Sequence, residues 1–182
     1  MILFWCGAGR RRDHRLRIAA AALLLLPALA TLPPTAAAEV PRLAVFDLEL
    51  VDTSLEGEMQ GVDPVEQARL ATTSDLLRSL LAESGRFEVL DLAPAAEAIA
   101  AAGRIRTCNG CEGRIGRELG ADLVLNGWVQ KVSNLILNLN LVMRDADSRE
   151  RVFAGSVDIR GNTDQSWAHG IRYLVKNRLL KD

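Results

Sequence analysis

The stretch NLILNLNLVMRD, Asn134 to Asp145, puts Leu135, Leu137, Leu139, Leu141 and Met143 at every second position. In an extended chain successive side chains point to opposite faces, whereas a helix turns by about 100° per residue. The spacing therefore commits this segment to a strand with one buried face. Its other face, Ile136, Asn138, Asn140 and Val142, is mixed. A single strand is not stable alone and needs paired neighbours and a cover. ADLVLNGWVQKV (121–132) precedes it as a second strand. RVFAGSVDIRG (151–161) returns after the turn ADSRE as a third. Together the three predict an antiparallel meander.

Upstream the pattern changes. RLAVFDLEL (42–50) alternates, with Ala44, Phe46, Leu48 and Leu50 expected on one face and Val45, Asp47 and Glu49 on the other. DTSLEGEMQGVDP (52–64) has no periodicity and reads as a loop. VEQARLATTSDLLRSLLAESG is helical, with Leu70, Ser74, Leu77 and Leu81 along one stripe and Gly85 as its stop. RFEVLD (86–91) reads as a short strand, and PAAEAIAAAG (94–103) and EGRIGRELG (112–120) as short helices. A last helix begins near Asn162, with Gln165 three residues on in a capping-box arrangement. Trp167, Ile171, Leu174 and Val175 form its apolar stripe. The order β-α-β-α-α-β-β-β-α predicts an α+β fold. A mixed sheet of about five strands carries helices packed on one face, and its opening β-α-β unit crosses over right-handedly.

The first 38 residues differ from the rest. RRRDHRLR (10–17) is basic, Ile18 to Leu32 is an apolar run of 15 residues, and PPTAAA ends in small residues. This is the pattern of a secretory signal, with cleavage expected after Ala38. The run is shorter than a membrane span and is interrupted by Pro27. The segment carries five Arg and one Asp, so its removal moves the formal net charge from −1 to −5. A mildly acidic chain of this kind has no general attraction for nucleic acid or for an anionic membrane. No integral membrane segment is expected after cleavage. Residues 39–182 are expected to form one periplasmic domain.

Two of the three cysteines, Cys108 and Cys111, stand in TCNGCE. Haem attachment would need a histidine where Glu112 stands. A zinc site needs four ligands, and the only histidine beyond residue 38 is His169. No metal and no cofactor is therefore expected. In an oxidising compartment the pair reads as a disulfide bracing the Asn109-Gly110 turn. A thiol-disulfide redox centre, activated by a helix amino terminus and by Arg104, Arg106 and Arg114, is the alternative. Between Asp47 and Glu66 there are seven carboxylates and no Lys or Arg, in a spacing that matches no EF-hand loop. That segment reads as a solvated acidic loop, with a weak cation site or a surface for a basic partner as the alternatives.

Asn is depleted in strands, so Asn134, Asn138 and Asn140, with Asn126 and Gln130 on the preceding strand, call for a reason. With Trp128 and Lys131 they form the candidate interaction surface. The same residues would also keep a Leu-rich strand from aggregating. A second candidate, Asp158, Arg160, Asn162, Asp164 and Trp167, surrounds the entry to the last helix. It is either a cap with a buried Trp or an anion or partner site at a helix amino terminus. Phosphate-loop, dinucleotide, nucleophile-elbow and zinc-protease motifs are all missing, so no catalytic residue is assigned.

RLAVFDLEL, SGRFEVLD, IGRELGADLVLNGWV and LNLVMRDADSRERVFAGS occur here in this order. They resemble bacterial envelope domains of the TolB amino-terminal and CsgG-like type. CNGCE, GWVQKVSNLILNLN and DIRGNTDQSW further resemble a narrower set of secreted proteobacterial proteins of unknown function. The resemblance implies a non-enzymatic envelope module that contacts protein partners or associates with itself. It also implies a link to periplasmic quinoprotein alcohol oxidation. It transfers no catalytic residue. Two further classes stay open on the residues: the redox protein, and a periplasmic binding protein for a small polar ligand or cation.

Overall fold

The computed structural model describes residues 39–181. Residues 1–38, on which the export-signal expectation rests, lie outside the described residues. Among those described, six strands form one mixed sheet in the order β3-β1-β4-β5-β6, with β2 also paired to β4. The elements are β1 (Arg42–Val45), β2 (Glu49–Asp52), α1 (Leu55–Gln60), α2 (Pro64–Glu83), β3 (Glu88–Val89), α3 (Ala96–Ala102), α4 (Cys111–Glu118), β4 (Leu123–Ser133), β5 (Ile136–Asp145), β6 (Arg151–Ile159) and α5 (Asp164–Leu174). β1, β2 and β3 run parallel to their neighbours, while β4, β5 and β6 form the expected antiparallel meander.

The period-two pattern holds where it is strictest. Leu137, Leu139 and Leu141 are fully buried and Met143 nearly so. Leu135, expected on the same face, is 73% exposed because it sits in the β4–β5 turn. The long helices α2 and α5 cover this face, with Leu70, Leu77, Leu81, Trp167, Ile171 and Leu174 in the main core. A smaller cluster lies behind β1 and the start of β4, where Ala44, Phe46 and Val124 meet Ala95, Ile105, Cys111 and Ile115 of the short helical segments.

The first predicted strand is broken. Val45 pairs with Leu125 and Glu49 with Trp128, so four steps on one strand oppose three on β4. One extra residue inverts every following side chain. Ala44 and Phe46 therefore join the smaller cluster, while Leu48 and Leu50 swing to the main core with Leu43 and Val45. Side chains of α2 hold the kink. Ser74 Oγ accepts from the Leu48 amide at 2.9 Å, and Arg78 donates to the Val45 carbonyl and pairs with Asp47. Alternation cannot reveal an inserted residue whose backbone partners come from a helix 26 positions away.

The expected loop at 52–64 contains α1. Ser54 caps it, accepting from the Gly57 amide at 3.1 Å, and the Ser54 amide and hydroxyl both donate to Asp52. The last helix is capped by Thr163 and Ser166 in a reciprocal box, one residue later than expected. That shift releases Asn162 for other partners.

Candidate functional site

Period two and the sheet register bring five of the predicted surface residues together. On β4, Asn126, Trp128 and Gln130 share the face turned away from α2 and α5. Across on β5, Trp128 opposes Asn140 and Gln130 opposes Asn138. β6 extends the rows with Ser156 opposite Asn140 and Asp158 opposite Asn138. The Asn138 amide donates to Asp158 Oδ1 at 2.7 Å, and the Asn140 amide donates to the Asn138 carbonyl at 3.2 Å. At the β2 end, Glu49 opposes Trp128. The Arg106 guanidinium stands 5.8 Å from the Trp128 ring, and the Arg106 amide donates to Glu49 Oε1 at 2.9 Å. The other Glu49 oxygen is buried without a partner. Amides, a carboxylate and an indole carrying a cation suit recognition of polar groups. Glu49, Arg106 and Ser156 were not legible as members, since only the strand register and a loop outside the sheet place them there.

Lys131 does not belong to this surface. Its parity matches Val129 and Leu137, so it enters the core side and is 2% exposed. There its ammonium lies 2.6 Å from Glu66, itself 2% exposed, and 3.3 Å from both Asp52 and Glu56. Burial alone pushes the ammonium down, but hydrogen bonds to Glu66 and Asp52 outweigh it and raise Lys131 above the ordinary lysine range. Burial pushes the Asp52 carboxyl up. The Ser54 hydroxyl and amide donating to it, with Lys131 nearby, hold it below the usual carboxylate range.

Asn134 also leaves the sheet face, because it lies in the β4–β5 turn and donates to Glu56 at 2.7 Å. The residues expected around the last helix divide in the same way. Asp158 and Arg160 stay on the surface. Asn162 donates to Glu66 Oε1 and to Asn134 Oδ1, and accepts from Arg69 at 2.9 Å and from the Trp167 indole at 3.0 Å. Asp164 pairs with Arg69 at 2.7 Å, and Arg69 lies 5.6 Å from the Trp167 ring. Trp167 is fully buried. Of the two readings of this segment, the cap with a buried Trp is what the structure holds, and Asn162 joins it to a polar network of α2, α5 and the β4–β5 turn that includes Asp52, Glu56 and Glu66.

Asn109 and Gly110 take left-handed backbone conformations, φ 56° and 96°, between the two cysteines. The Cys108 and Cys111 sulfurs are in bonding contact, with Cα atoms 5.6 Å apart. Glu112 Oε2 lies 3.7 Å from Cys108 Sγ, and ligand atoms of Cys108, Cys111 and Glu112 all fall within 4.8 Å. Sulfurs in bonding contact offer no thiolates to a metal. Among the described residues no helix is long and apolar enough to cross a membrane.

The family described as "Protein of unknown function (DUF2380)" matches residues 41–179. No curated protein matches the chain. Among solved structures, the LpoB C-terminal domain from Salmonella enterica is 16% identical, with a TM-score of 0.48 over 69% of this chain and 87% of its own. The PelC dodecamer from Paraburkholderia phytofirmans is 11% identical, with a TM-score of 0.46 over 74% and 84%. TolB from Acinetobacter baumannii is 10% identical, with a TM-score of 0.40, and this chain matches 29% of its length.

Proposed function

The chain belongs to the family described as a protein of unknown function (DUF2380), and we propose that it works as an exported, non-enzymatic protein-interaction module. Its contact surface in this reading is the open face of the sheet. The observation that carries the reading is the cross-strand alignment of Trp128 with Asn140 and of Gln130 with Asn138. Such a row offers a partner fixed amide donors and acceptors around an aromatic anchor, the composition of a binding surface rather than of a reaction centre. The basic, apolar and small-residue pattern of residues 10–38 supports a periplasmic location and an envelope partner. A photo-crosslinking residue placed at Asn140 is expected to give discrete protein adducts in living cells. The same group at the exposed Lys181 is expected to give none. Absence of adducts at Asn140, or identical adducts at both, would sink the reading.

The cysteine pair fits this picture as a staple. Its sulfurs are in bonding contact across the left-handed Asn109-Gly110 turn, the arrangement a local staple needs. The bridge closes a very short loop, so its contribution is small. Replacing both cysteines by Ser is expected to cost about 1–2 kcal/mol in urea denaturation and to leave the Asn140 adducts in place. A reduction potential in the oxidoreductase range, about −120 to −270 mV, would instead favour the redox reading.

A further inference from the structure

Helix α1 leaves its large apolar side chains exposed. A surface helix ordinarily turns its apolar side chains inward and its charged ones to water. No residue of α1 is buried. Glu56 turns to Lys131 and Asn134, while Leu55 and Met59, one turn apart, are 71% and 78% exposed. Val62 and Val65 continue the exposed apolar surface at 75% and 60%. Leu135 and Ile136, also exposed, follow directly on Asn134, whose side chain bonds Glu56. Six large apolar side chains are therefore exposed, on α1, on the segment that leads into and begins α2 and at the β4–β5 turn that Asn134 ties to α1. The Ser54 cap and the bonds from Lys131 and Asn134 to Glu56 hold the start of the helix, and Gly57, on the side opposite Leu55 and Met59, lies so close to the Asp52 carboxylate that a Cβ would overlap it.

Charge decides what the patch receives. The exposed acids Glu58 and Asp63 are interleaved with it, and the run from Asp47 to Glu66 contains no Lys or Arg. Lys131 is engaged in the core and Arg69 with Asp164, while Arg104 lines the cavity that Gly57, Gly61 and Val62 border. We propose that this acidic-rimmed apolar patch docks a basic amphipathic segment of a partner polypeptide. An anionic membrane surface would be repelled by the rim, and a second copy would bring like charge onto like charge. A segment alternating Leu-type and Lys- or Arg-type side chains meets both requirements, apolar burial at the centre and opposite charge at the edge. The proposal does not rest on the sheet-face reading, since it uses none of those residues.

The test uses the full chain and a fluorescent Lys/Leu peptide of about four helical turns. Binding is expected at low salt and is expected to weaken strongly at about 0.5 M NaCl. Leu55→Ser with Met59→Ser is expected to weaken it about tenfold, and Glu58→Gln with Asp63→Asn several-fold. All four positions are exposed, and Asn retains the capping ability of Asp63, so thermal melting should not move. A Glu/Leu peptide of the same pattern and phosphatidylglycerol vesicles are expected not to bind. Four results would overturn the proposal: equal binding by the Leu55/Met59 variant, equal binding of the Glu/Leu peptide, vesicle binding without peptide binding, or a dimer that the Leu55/Met59 substitutions dissolve.

Discussion

Lys131→Met is expected to cost about 3–5 kcal/mol, because it strands buried carboxylates without their cation. Glu66 is 2% exposed and lies 2.6 Å from the ammonium, and Asp52 and Glu56 complete the shell at 3.3 Å. Urea denaturation measures the loss, and a value under about 1 kcal/mol would contradict the account. Replacing Glu66 by Leu in the same chain is expected to recover part of the loss, since a buried pair replaced by apolar groups of similar size is far less costly than a broken one. Amide exchange in 54–60 should rise first in Lys131→Met, because α1 is held to the sheet by these contacts.

The same groups set a pH dependence with a definite sign. The Lys131 pKa is raised on folding, so its contribution is complete below about pH 10.4 and is lost as pH rises through the raised folded value. The Asp52 pKa is lowered on folding, so its contribution is complete above about pH 3.9 and is lost as pH falls through the lower folded value. Wild-type stability should therefore fall at both ends, and Lys131→Met should flatten the alkaline fall.

The second large effect is Trp167→Ala. The indole is fully buried in the main core, under Arg69 and bonded to Asn162. Truncation removes the largest side chain of α5 and leaves a cavity, at a cost of about 3–5 kcal/mol. At about 3 °C per kcal/mol for a domain of this size, the melting temperature should drop by about 10–15 °C. Trp167→Phe keeps most of the packing and loses the indole N–H, so it should cost only about 1–2 kcal/mol. Equal losses for the two variants would mean that the bond to Asn162 matters more than the ring.

Much of the fold was legible because periodicity is a local property. Leu137, Leu139 and Leu141 needed only their spacing to define the core face of β5, and Leu70, Ser74, Leu77 and Leu81 did the same for α2. The same parity placed Asn126, Trp128, Gln130, Asn138 and Asn140 on one surface. It equally excluded Lys131, an odd position beside even ones, but its charge suggested water and outweighed its parity in the reading. Asp52, Glu56 and Glu66 read as solvated because nothing in their order announces a cation that reaches them from a strand 65 residues or more away.

By itself the sequence determined the order of the elements from α2 onward, the meander, the amphipathic faces of α2 and α5, and the turn between Cys108 and Cys111. These follow from backbone geometry acting over a few residues. Only the tertiary structure decided the extra residue between β1 and β2, the burial of Lys131 among three carboxylates, the turning of Asn162 and Trp167 toward Arg69, and the outward face of α1. Each of these depends on partners distant in the chain. A charged side chain enters a core only when the fold supplies its counter-charge, and no local pattern encodes that condition.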